Sequence, residues 1–196
     1  MFPSREELHL IAFLLGAFVL GGIAQTLWFR SPSCRLFAYP LDGGRTLRGR
    51  RIFGDNKTVA GFLVFVPVVS GSFALLGWLT ELQGLDFLSR VGWPEQPLSL
   101  FFIGLAGSFG YMLAELPNSM IKRQFSVEPG ARPTGWLRYV TFAMDQGDSV
   151  LGALLLLHLA APLPRTTWFS LLVLAAVVHW LFNVVLYLLG VKSKPC

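Results

Sequence analysis

Of the 196 residues, 54% are apolar and only 14% are charged, and the mean hydropathy is +0.58, which excludes an ordinary water-soluble domain. The length holds one compact helical bundle and little else. The net charge of +5 is loop charge, which argues for contact with anionic lipid or a polyanionic substrate, with no nucleic-acid partner expected.

The first apolar stretch, residues 8–29, follows Glu6 and Glu7 and shows no small-x-small site before Trp28. It reads as a membrane helix and not as a cleavable signal. About 20 such residues cross the ~30 Å of hydrocarbon. A polar loop over 30–58 comes next, with Arg30, Arg35, Arg45, Arg48, Arg50, Arg51 and Lys57. Within it, Pro40-Leu41-Asp42-Gly43-Gly44-Arg45 marks a tight turn. The loop closes on Gly49-Arg50-Arg51-Ile52-Phe53-Gly54-Asp55-Asn56-Lys57-Thr58. A Walker-type phosphate loop needs Gly and Lys adjacent after a strand, and neither condition is met. A Gly turn, with Asn56 or Thr58 near an N-cap and Lys57 at a helix N-terminus, still describes an anion site.

The second apolar stretch, 59–79, leads to an acidic connection over 80–97 containing Glu81, Asp86 and Glu95. The third, 98–116, runs into Glu115-Leu116-Pro117-Asn118-Ser119-Met120-Ile121-Lys122-Arg123. Pro117 lacks an amide donor and crowds the preceding turn, so a kink or break is expected there. Were helix to continue, Glu115, Ser119 and Lys122 or Arg123 would share one face. A second polar loop is expected over 117–148. The fourth apolar run, 150–163, is too short to span unless its helix begins at Asp145, which puts Asp145 and Asp148 in the first turn. There the two carboxylates serve equally well as helix caps or as ligands to a hard divalent cation. A short connection leads to the fifth helix, 168–191. His158 and His179 lie inside apolar stretches and read as structural hydrogen-bonding groups. Cys34 and Cys196 have no matching histidines and make no zinc site.

Thirteen of the 16 Lys and Arg fall in the two loops and the C-terminal tail, leaving Arg5, Arg90 and Arg165 for the opposite face. The positive-inside rule then places both loops and the C-terminus in the cytoplasm and the N-terminus outside. The expected fold is all-α: a single multi-pass domain of the cytoplasmic membrane. Its five helices span about 8–29, 59–79, 98–116, 145–163 and 168–191, and the cytoplasmic loops form the site. Acids and cations gathered at one membrane edge are costly unless they meet. A divalent cation with a nucleoside triphosphate satisfies both signs, and the helices present a lipid-borne second substrate. Such transfer rests on positioning and charge neutralisation, so no Ser-His-Asp or Cys-His set is required.

The three motifs in order, Gly49 to Thr58, Ser119-x-x-Lys122-Arg123 and Asp145-Gln146-x-Asp148, resemble CDP-archaeol synthases, the small five-helix branch of the phosphatidate cytidylyltransferase superfamily. The resemblance runs over nearly the whole chain. It implies transfer of CMP from CTP to a dialkyl or diacyl glycerol phosphate, with release of pyrophosphate and dependence on Mg2+. It also implies a catalytic set of Asp145, Asp148 and Lys122, substrate binding by Asp55, Asn56, Lys57, Thr58, Ser119 and Arg123, and metal ligation by Asp145, Asp148 and Glu115. Ala114-Glu115 stands where the family usually has Gly-Asp, and Val59-Ala60 where it tends to have Trp-Arg. Two alternatives remain at this stage. One is a CDP-alcohol phosphotransferase using Asp42 and Asp55; the other is a non-catalytic lipid-binding relative. A homodimer is compatible with five short helices around a site. A transporter is disfavoured, because the ionisable groups gather at one surface.

Overall fold

A computed structural model describes residues 2–128, 131 and 134–188. In chain order the elements are α1 (Arg5–Arg30), a 3-10 turn (Pro32–Phe37), the two-residue strands β1 (Thr46–Leu47) and β2 (Arg50–Arg51), α2 (Val59–Leu82), the short α3 (Phe87–Arg90), α4 (Pro97–Gln124), α5 (Leu137–Ala160) and α6 (Arg165–Leu188). Five of the helices are long and apolar enough to cross a membrane. At 1.5 Å per residue, a 24-residue helix reaches about 36 Å. The all-α membrane architecture read from the sequence is the one observed.

Local chemistry sets the helix starts. Ser4 caps α1 in a reciprocal box: its hydroxyl accepts from the Glu7 amide at 3.2 Å while Glu7 accepts from the Ser4 amide at 2.6 Å. Thr58 is the N-cap of α2 by backbone geometry alone. Arg48 and Gly49 both take positive φ, 54° and 74°, at the turn between β1 and β2, as a tight two-residue hairpin requires.

Because lipid is as apolar as the helix surfaces, close packing must hold the bundle together. Phe73, Leu10, Leu14, Leu100 and Leu157 are fully buried at its centre. Phe13 and Phe73 meet edge-on with centroids 5.4 Å apart. Helices α4 and α5 approach closely where Gly110 and Gly152 face each other backbone to backbone. Two fully buried hydroxyls bond within their own helices: Ser70 bonds the Val66 carbonyl and Ser108 that of Gly104, both at 2.7 Å.

Three sequence expectations are corrected. Helix α4 runs unbroken through Pro117 to Gln124, as α2 does through Pro67; prolines are tolerated in membrane helices, where neighbouring helices re-satisfy freed backbone groups. Helix α5 begins at Leu137, eight residues before Asp145. Asp145 and Asp148 therefore sit within a helix and cannot be its caps. The polar loop over 117–148 is accordingly mostly helix. The last residues of the fifth expected span, 189–191, lie outside the described residues.

Contacts at the two ends define one polar end and a simpler opposite one. The opposite end is closed by Trp93 donating to the Pro162 carbonyl at 3.1 Å and Thr166 donating to Glu7 at 2.5 Å. His158 has the structural role expected of it, accepting the Leu163 amide at 3.0 Å as α5 ends. At the other end, Arg50 donates to the Gln124 carbonyl, which brings both polar loops together.

Candidate functional site

The first loop is organised around one buried carboxylate. Asp42 is 5% exposed and accepts the amides of Gly44, Phe53 and Gly54 at 3.0–3.1 Å. Arg51 donates to both its oxygens, at 2.6 and 3.2 Å, and also to Asp55 at 2.7 Å. Burial alone would raise the Asp42 pKa, but the Arg51 guanidinium and the three amides outweigh it and hold the carboxyl well below the usual carboxylate range. The same bonds, Asp42 first, raise the Arg51 pKa. Asp42 and Asp55 are thus committed to Arg51, which removes the pair on which the phosphotransferase alternative relied.

This scaffold fixes the residues leading into α2. The Leu41 amide donates to the Lys57 carbonyl at 2.8 Å and the Val59 amide to the Tyr39 carbonyl at 2.9 Å. Lys57 is thereby aimed at α4, where its ammonium pairs with Glu115.

The second half of the site is built across α4 and α5. The Asn118 amide donates to Asp145 at 2.7 Å and to Asp148 at 2.8 Å, bridging the two carboxylates. Lys122 pairs with Asp145, with its ammonium 2.6 Å from Oδ2. The Ser149 hydroxyl lies 3.1 Å from both Glu115 and Asp148, linking the Lys57–Glu115 pair to the aspartates. The result is one hydrogen-bonded chain in which neutral Ser149 and Asn118 link three acids between two lysines: Lys57, Glu115, Ser149, Asp148, Asn118, Asp145, Lys122.

Of the residues singled out from the sequence, Lys57, Glu115, Lys122, Asp145 and Asp148 are brought together. Asp55 is turned out to Arg51, with its side chain 71% exposed, and Asn56 is exposed as well. Thr58 contributes backbone only to its helix cap. Ser119 is half-buried on α4 and, among the described residues, adds no hydrogen bond to the cluster. Arg123 presents two buried guanidinium nitrogens, Nε and Nη1, that find no partner among the described residues, an arrangement suited to an anion. Sequence reasoning passed over Asn118, Ser149, Arg51 and the organising role of Asp42. Asn118 was detectable in principle, since it lies one turn before Lys122 on the same face.

The chemistry of the donor set suits a hard divalent ion. Asp145 and Asp148 are oxygen donors, and the Asn118 Oδ1 beside them is buried without a hydrogen-bond partner. Among the described residues no three such side chains converge as a metal cluster, and the Glu115 carboxylate is held by Lys57 and Ser149.

Next to this cluster lies a cavity of about 460 Å³ between α1, α2, α4, α5 and α6. Its walls are largely apolar, including Leu14, Phe18, Phe65, Leu154 and Phe182, and Glu115 lies in its lining. Charged cluster and apolar cavity therefore share a wall.

The model of the CarS-like CDP-archaeol synthase family matches residues 33–196. The CDP-archaeol synthase of Methanopyrus kandleri is 34% identical over 184 residues, covering 88% of this chain and 93% of its own. That of Pyrococcus furiosus is 32% identical over 159 residues, covering 80% and 83%. A solved structure described as an intramembrane enzyme for archaeal membrane lipid biosynthesis is similar in fold, with a TM-score of 0.58 and 24% identity, covering 88% of this chain and 92% of that one.

Proposed function

The chain belongs to the CDP-archaeol synthase family, and from that premise we propose how its residues carry out cytidylyl transfer to a lipid phosphate. It is a membrane CTP-dependent lipid cytidylyltransferase. The observation that supports the reading best is the shared wall: an apolar cavity is lined in part by Glu115, which belongs to a network with two lysines, two aspartates and an asparagine. A lipid phosphate and a nucleotide need those two environments in contact.

In this reading, Lys57, Lys122 and Arg123 bind phosphate oxygens, Arg123 through its unpartnered guanidinium edge. A divalent cation such as Mg2+, held by Asp145 and Asp148 with the Asn118 carbonyl beside them, supplies charge neutralisation for the triphosphate. Asn118 keeps both carboxylates oriented, and Glu115 holds Lys57 at the mouth of the cavity. An oxygen of the lipid phosphate attacks the α-phosphorus of CTP. The bond from that phosphorus to the bridging oxygen breaks, and pyrophosphate leaves with the electron pair. No protein nucleophile takes part. The cation-rich end faces the cytoplasm, where CTP is, as the positive-inside rule requires.

The test is turnover of purified protein in lipid nanodiscs with CTP and dialkyl or diacyl glycerol phosphate, with and without Mg2+. Metal-dependent pyrophosphate release with formation of a CDP-lipid is expected. Release of CMP from a CDP-lipid, with no pyrophosphate from CTP, would refute the reading.

A further inference from the structure

The cavity beside the charged cluster is blind, and contacts between the helices set its depth. Gly22 of α1 packs against the Phe182 ring of α6, and the Tyr111 hydroxyl of α4 lies 3.2 Å from His179 Nδ1 of α6, so these three helices run in step. From that level the lining continues toward the opposite end as far as Leu14 on α1, Leu171 on α6 and Leu157 on α5. The Leu157 side chain lies against Gly107, eight residues before Glu115 on α4. All three leucines are at most 3% exposed. Beyond them Ala161, Leu163 and Thr167 are buried as well, and the Trp93 bond to the Pro162 carbonyl closes that end. At the other end of the lining, Phe29 is 49% exposed, and Glu115 joins the wall to the Lys57 ammonium.

The dimensions fit a hydrocarbon chain. Gly107 to Glu115 is eight residues and Leu171 to Phe182 eleven, which at 1.5 Å per residue puts the three leucines about 12–16 Å from the charged end. Half of the ~30 Å hydrocarbon layer is about 15 Å. A chain hanging from a phosphate at the cluster therefore reaches the leucines without leaving its own leaflet. The leucines offer it nothing but apolar contact. Packed interiors hold few voids larger than one water molecule, so about 460 Å³ of largely apolar space calls for an occupant.

We propose that the cavity takes a hydrocarbon chain of the lipid phosphate, and that Leu14, Leu157 and Leu171 form its floor and fix the longest chain turned over efficiently. This rests on the cytidylyltransferase reading and names the part of the lipid that is measured. A chain that meets the floor has no further cavity to fill. Each additional methylene then holds one methylene out of the cavity and forfeits its burial, a loss of about fourfold in kcat/KM per carbon.

The experiment measures kcat/KM in nanodiscs for dialkyl glycerol phosphates whose straight chains grow two carbons at a time. The parent is expected to hold its rate up to a limiting length and then to fall at least about fourfold per step. Leu171→Ala and Leu14→Ala, which lower the floor from two different helices, are expected to move that limit to longer chains. Leu171→Phe, which raises the floor, is expected to move it to shorter ones. The limit is read within each variant, so a general loss of activity cancels. Leu63→Ala on α2, at a residue 53% exposed and outside the lining, is the control and keeps the parent limit. A parent with no limit, a limit unmoved in all three floor variants, or an equal shift in the control would overturn the floor while leaving cytidylyl transfer standing. Absence of CTP turnover in the parent protein would overturn both.

Discussion

The contact between Gly110 and Gly152 sets the register of the whole site, and Gly152→Ala tests it directly. A Cβ at Gly152 meets the Ala114 Cβ and the Gly110 carbonyl oxygen inside 3.0 Å, a separation real Cβ atoms essentially never show. Ordinary contact begins near 3.4 Å, so α4 and α5 must part by about 1 Å, and neither obstacle is a flexible side-chain end. Gly152 lies one turn beyond Asp148, and the Asn118 bonds of 2.7 and 2.8 Å to Asp145 and Asp148 cross the same gap. Opened by about 1 Å, both exceed hydrogen-bonding length. Misplacement on that scale costs on the order of 100-fold in rate, and overpacking adds about 1–3 kcal/mol of destabilisation. The assay is kcat for pyrophosphate release together with the thermal midpoint in detergent. Gly71→Ala on α2, where an added Cβ meets nothing within 4 Å, is the matched control and retains full activity. A folded Gly152→Ala variant with kcat within twofold of the parent would show that this approach does not register the site.

Other expectations follow from the same geometry. Asp145→Asn raises the Mg2+ concentration for half-maximal turnover at least about tenfold, since one anionic ligand is lost; Asp86→Asn at the opposite end leaves it unchanged, and metal titration of both variants checks this. Asp42→Asn lowers stability by about 2 kcal/mol at neutral pH, the worth of a charge-assisted hydrogen bond. Its folded pKa is depressed below the ordinary 3.8, so the stabilisation is fully present above that value and is lost as pH falls below it. Thermal melts of parent and variant should therefore converge on moving from pH 7 to below about 3, and a constant gap would disprove the assignment. Lys57→Met removes the cation that Glu115 holds at the cavity mouth. It should raise substrate KM more than it lowers kcat; an unchanged KM would exclude Lys57 from phosphate binding.

Much of this architecture was visible in one dimension. Hydropathy alone marks five spans, because crossing hydrocarbon demands runs of apolar residues whatever their partners. The asymmetric placement of Arg and Lys marks both polar loops as belonging to one end, and the observed contact from Arg50 to Gln124 joins them there. The motif acids and bases at Lys57, Glu115, Lys122, Asp145 and Asp148 were each identifiable from residue type and spacing.

Pairing was decided only in three dimensions. Asn118 meets Asp145 across 27 residues and Lys57 meets Glu115 across 58. Those distances depend on how closely two helices approach and on their relative register. The approach is governed by the missing side chains at Gly110 and Gly152, which hydropathy barely distinguishes from alanine. The start of α5 is less legible because Asp145, Gln146, Gly147 and Asp148 interrupt the apolar run, so its first eight residues, Leu137 to Met144, are cut off from the apolar stretch that hydropathy follows. Composition places charge at a boundary, but backbone proximity determines which charges touch.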